Sequence, residues 1–238
     1  MRSISFASIL LAALLLSGCI DVPPETQDIV DSIPWLDEER AEYVLLDRDS
    51  GEEEGRGVLI VTRKDGQFEL SLSFKSGDAS DESVVLVDAI TAKPISIRRE
   101  LIDPRQRVII TGEYDVDEGI INITETRNDE EPRTIPLRLD EHYYDNDSSL
   151  FLWRTIRFEE GYEVSYRTVL ANQGSQQILT VRVIGKEEVT VPAGTFQAWR
   201  IELEEVDQVV WYADTPERFL VQYDNSVQLL QLVELPGG

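Results

Sequence analysis

Cysteine, histidine and methionine are nearly absent. The 238-residue chain has one of each: Cys19, His142 and Met1. A single cysteine excludes an intrachain disulfide. One cysteine and one histidine are too few for a zinc site built on either ligand. Basic charge is also scarce, with 22 Lys and Arg against 46 Asp and Glu, a net of −24. Nucleic-acid binding needs a basic footprint, so it is excluded as a partner class. The same deficit argues against electrostatic adhesion to anionic lipid heads. The excess of acid fits solubility or a salty exterior that screens self-repulsion. No Gly-x-Ser-x-Gly elbow occurs, and the Gly51 to Gly57 region lacks the lysine and helix of a phosphate loop. The apolar run over residues 4–16 falls short of the ~20 residues of a membrane span.

That run does have the layout of an export signal: Arg2, an apolar stretch, then small residues. Its end, Leu16-Ser17-Gly18-Cys19, resembles the bacterial lipobox. The resemblance implies that residues 1–18 are a lipoprotein signal peptide and that Cys19 carries the lipid. Residues 19–34 follow as an Asp- and Pro-rich tether. The implied location is extracytoplasmic and membrane-anchored through the N-terminal lipid. In a diderm cell that means the periplasmic face of the outer membrane, because Ile20 rather than Asp follows the cysteine. In a monoderm it means the outer face of the cell membrane.

From residue 35 onward the pattern is that of strands in one domain, 35–238. Residues 35–42 allow a turn or two of helix first. Phe68, Leu70, Leu72 and Phe74 alternate with Glu69, Ser71, Ser73 and Lys75, so one strand face is buried and one wet. Asp65-Gly66 between two β-prone runs signals a hairpin. Residues 145–149 supply N-cap candidates for one short helix over 150–156, with Leu150, Trp153 and Arg154 at helical spacing. The helix is expected to plug an open end of the sheet. Strands are expected at 177–184, 188–192 and 195–204, among others. Pro192 presets the turn between the last two and Gly194 suits its close. Beyond the turn, Trp199, Ile201 and Leu203 alternate with charged residues.

Three stretches then carry a family resemblance: Tyr144-Asp145 with Ser149-Leu150 and Trp153-Arg154; residues 189–196, Val-Thr-Val-Pro-Ala-Gly-Thr-Phe; and Trp211-Tyr212-Ala213. Together they resemble the DUF3108 family of exported bacterial proteins, most closely over 145–235. The resemblance implies a mainly β fold: a curved antiparallel sheet, half-barrel or open barrel, with one short helix. It implies no catalytic residues and no cofactor.

A metal site is not expected either: the acidic loop from Asp115 has Thr126 where a calcium loop needs Glu. Phe68, Phe74, Trp153, Trp199 and Trp211 are candidates to fill the concave face or to line a ligand space there. Pro192 and Gly194 are read as a structural turn. The expected role is a non-catalytic binding or interaction module of the cell envelope, with a hydrophobic ligand or an envelope protein as partner. Two alternatives stand beside it: a carrier of lipids or lipoproteins in a hydrophobic concavity, and a carboxylate-based hydrolase. The hydrolase needs two carboxylates converging in a cleft with His142 or an arginine.

Overall fold

The structure is a computed structural model that describes residues 23–128 and 130–235. Cys19 and the signal segment lie outside the described residues. Eight strands form a meander: β1 (Glu38–Asp47), β2 (Glu53–Lys64), β3 (Gln67–Ser76), β4 (Ala79–Asp88), β5 (Pro94–Asp103), β6 (Gln106–Asp115), β7 (Ile120–Arg127) and β8 (Arg133–Arg138). Tight turns join them for local reasons. Asp65 and Gly66 both take positive φ, 52° and 80°, the geometry that matches strand twist. At the β5–β6 turn the Asp103 carboxylate accepts from the amides of Arg105 and Gln106.

The chain then forms a three-residue strand, β9 (Tyr143–Asp145), and a helical segment. The segment is a 3₁₀ turn (Asn146–Ser148), the helix α1 (Ser149–Leu152) and a second 3₁₀ turn (Trp153–Thr155). A second meander follows: β10 (Glu163–Leu170), β11 (Ser175–Val191), β12 (Gly194–Leu203), β13 (Gln208–Ala213), β14 (Leu220–Asp224) and β15 (Gln228–Glu234). β15 pairs with β1, so both meanders form one 15-stranded sheet with β8 and β9 at its edges. The sheet is curved, open and antiparallel except where β9 runs parallel to β10. That parallel pair departs from the all-antiparallel expectation. It arises because β9 reaches β10 through the helical segment rather than through a hairpin.

The helical segment lies inside the curve. Every residue from Ser148 to Ile156 is buried, Phe151 and Ile156 almost completely. The sheet therefore packs around an internal plug rather than around an empty space.

Two expectations are corrected at the N-terminus. The stretch read as tether is docked from residue 26 on: Gln27 donates to the Ser165 carbonyl, and Asp31 and Ser32 both donate to the Thr155 carbonyl. Ile29 is buried, and Val30 and Ile33 pack against the core. Those three apolar side chains outweigh the Asp- and Pro-rich composition that suggested a free linker. Residues 38–42 are strand rather than helix, because Glu39, Ala41 and Tyr43 alternate inward. Trp35 seals this end, with its ring edge-on to Phe68 at 5.2 Å and its indole N–H on the Phe151 carbonyl.

The two strands expected at 177–184 and 188–192 are one, β11, bent at a bulge where Ile184 is extra and Gly185 takes φ 148°. At its far end Pro192 and Ala193 form the turn and Gly194 closes it at φ 133°. The Ala193 amide donates to the Leu232 carbonyl, which pins the hairpin tip onto β15.

Candidate functional site

Beside the Trp35 and N-terminal contacts, side chains from both meanders hold the internal plug. Asp145 caps it, accepting from the Asp147 amide, and takes the Tyr114 hydroxyl at 2.5 Å. The Tyr212 hydroxyl donates to the Leu150 carbonyl. The Trp153 indole N–H donates to the Tyr166 hydroxyl. Arg154 makes a two-pronged pair with Glu39 of β1 at 2.8 and 3.0 Å, with both side chains about 95% buried. Arg154 also donates to the Glu217 carbonyl. The residues that carried the family resemblance over 144–154 are thus largely the plug and its fastenings.

One end of the barrel-like sheet is closed by the docked N-terminal stretch. At the opposite ends of β3 and β10 the sheet opens into a cavity of about 520 Å³. Leu150 and Trp153 of the plug form part of its wall, with Leu72, Leu179 and Leu230 around them. Six amides, Asn146, Gln173, Gln177, Gln208, Asn225 and Gln228, give it a polar side. An apolar groove of about 280 Å³ continues from it over Leu101, Ile102 and Val108, sharing Leu45, Phe74 and Asp81.

A charged corner lies between plug and sheet. Arg99 binds both Asp81 oxygens, at 2.9 and 2.6 Å, and Asp147 at 3.1 Å. Burial, reinforced by the Asp147 charge, pushes the Asp145 carboxyl up to about 7. Burial raises Asp147 too, against the pull of Arg99. Ser149 lines the cavity, and its Oγ is buried without a hydrogen-bond partner of good geometry, although the Tyr166 phenol stands close enough to feel it.

The sequence candidates separate. Phe74 and Trp153 line the cavity. Phe68 is packed at the closed end under Trp35. Trp199 is on the inner face but away from the mouth, beside Phe158, with its indole N–H on Asp214. Trp211 is not on the concave face: its neighbour Tyr212 points inward to the plug, so Trp211 points outward, where it meets Glu187 and Arg200. Pro192 and Gly194 stay in the docked hairpin turn. His142 is also remote from the mouth, its Nδ1 3.3 Å from Asp28, which Lys93 holds too.

Arg99, Asp81 and Ser149 were not singled out in the sequence. A signal for Arg99 existed: Ile97, Arg99 and Leu101 share a strand face, and a charge inside an apolar row marks an inward-facing polar site. The corner does bring carboxylates and an arginine together, as the hydrolase alternative requires. The oxygens of Asp81 and Asp145 are already occupied, however, and Asp147 is paired with Arg99. Asp81 gives both to Arg99, and Asp145 gives one to the Asp147 amide and one to Tyr114. No free acid–base pair is left at the corner. Among the described residues no cluster of metal-binding side chains occurs, and no helix is long and apolar enough to cross a membrane.

Fold and site together define a barrel-like β protein with an internal plug and a ligand-sized mouth. The chain belongs to the family described as protein of unknown function DUF3108, whose model matches residues 43–229. The match thus reaches well into the first meander, beyond the 145–235 stretch where the resemblance is sharpest. No curated protein matches it. Two solved structures are similar. One is a β-barrel-like protein of the DUF1849 domain from Brucella abortus, at 13% identity and TM-score 0.47, covering 84% of this chain and 98% of that one. The other, described as exported and of YmcC-like fold, is from Bacteroides fragilis, at 12% identity and TM-score 0.33, covering 88% and 99%.

Proposed function

We propose that this protein is a non-catalytic binding module of the cell envelope, lipid-anchored at Cys19, that holds a small amphipathic ligand in its mouth. The observation that carries the binding role is the 520 Å³ cavity, with apolar walls on one side and amides on the other. That size is within the range of small-molecule sites, roughly 300–1,000 Å³. The lipobox at Leu16 to Cys19 supports the anchor. The mouth lies at the far end from the docked N-terminal stretch, so an anchored domain would present it away from the membrane.

A carrier role is favoured only in a narrow form. The plug occupies the centre of the barrel, so an acyl group would be confined to the mouth and its groove. That leaves space for a single chain rather than a diacyl lipid.

Binding is tested with Nile red, an uncharged apolar dye. Saturable binding is expected and weakens at least tenfold in the cavity-filling variant Leu179→Trp, while Trp211→Phe on the outer face leaves it unchanged. Equal binding in all three chains would rule out the cavity as the site.

A further inference from the structure

The charge arrangement around the mouth selects among ligand head groups. Cavity and groove together are bordered by three carboxylates, Asp81, Asp147 and Asp103, and two cations, Arg99 and Lys75. The one cation inside the cavity is already paired, and Lys75 borders only the groove. Arg99 is neutralised by Asp81 on one side and Asp147 on the other. Lys75 is exposed and stands 3.4 Å from Glu82. Asp147, by contrast, gives only Oδ1 to Arg99, and its other neighbour there is the neutral Asn146 side chain. The Ser149 hydroxyl in the same wall is buried beside the Tyr166 phenol and is turned away from the open space. Six side-chain amides surround the space and offer carbonyl acceptors as well as donors. The whole chain adds a field of net charge −24.

From this we infer that the mouth takes a small amphiphile whose head donates hydrogen bonds and carries no negative charge, an amine or a polyol, with the head against Asp147 and the neighbouring amides and the apolar body against Trp153 and Leu179 or along the Phe74 groove. Fatty acids and anionic lipid heads are disfavoured in the cavity, because they would meet Asp81 and Asp147 there and its one cation, Arg99, is already paired. The inference rests on the proposed binding role of the mouth and adds the head-group chemistry to it.

Three probes with the same apolar body separate the possibilities: octylamine, octan-1-ol and octanoate, each titrated into the purified full chain at about pH 7 and low salt, where surface charge is least screened. The indole N–H signal of Trp153 in NMR spectra reports the cavity, and those of Trp199 and Trp211 report sites away from it. Octylamine and octanol are expected to shift Trp153 alone. Octylamine is expected to bind at least tenfold more tightly than octanoate, and Asp147→Asn to bring that ratio close to one with the fold retained by circular dichroism. Octanoate binding as tightly as octylamine would overturn the head-group inference and leave the cavity reading standing. A Trp153 signal that no probe moves would overturn both. The wild-type ranking decides the question even if Asp147→Asn does not fold.

Discussion

Asp145 shows how a single residue was half legible. Its place before Ser149-Leu150 marks it as a cap, and it does cap the first helical turn. Its partner Tyr114 is thirty-one residues earlier, and nothing local announces that contact. Burial of the pair raises the Asp145 pKa to about 7 from 3.8. Between about pH 4 and pH 7 the folded chain holds a proton that the unfolded chain releases. This contribution to stability is therefore complete below about pH 4 and is lost as pH rises to about 7. Asp145→Asn removes that slope. Between pH 4.5 and 7.5 the urea midpoint of wild type should fall relative to that of the variant, because only wild type loses this contribution. A difference between them that does not change with pH would contradict the assignment. The aromatic candidates teach the complementary lesson. Alternation places Trp211 on one strand face, but only the partner across the barrel says which face is inner.

At the scale of elements, hairpins were the most legible part. Asp65-Gly66 and the turn at Pro192 are local devices whose geometry is written in adjacent residues. Elements that depend on distant partners were not. β9 is three residues long and exists because β10 lies beside it. The docked stretch after residue 26 carries Ile29, Val30 and Ile33, yet their spacing fits neither helix nor strand, so composition alone suggested a linker. The plug was recognised as a short helix, but its inward position depends on Glu39, 115 residues from Arg154. That pair is the plug's fastening to β1. Breaking one side strands a buried charge, so Arg154→Met is expected to cost about 3–5 kcal/mol in urea unfolding. Removing both charges, in Arg154→Met with Glu39→Leu, should cost less than the single change. A single variant as stable as wild type would show that the pair does not hold the plug.

At the scale of the molecule, the period-2 patterns sufficed for a curved antiparallel sheet, and the apolar content for a core. The order of strands was not legible, because the β1–β15 pairing joins the two ends of the chain. The mouth was not legible either: Leu72 and Phe74 are at the open end of a row whose first members, Phe68 and Leu70, are core. The proposed anchor acts at this scale too. Cys19→Ala is expected to move the chain from the membrane to the soluble fraction, and unchanged membrane retention would contradict lipidation at that residue.

The central claim is that the mouth holds a small amphiphile in the protein's own setting. Native mass spectrometry of the full chain, extracted from its own envelope, tests this most directly. The account predicts one small bound molecule per chain, absent from the Leu179→Trp variant. An empty wild-type chain, or an adduct that persists when the cavity is filled, would contradict it.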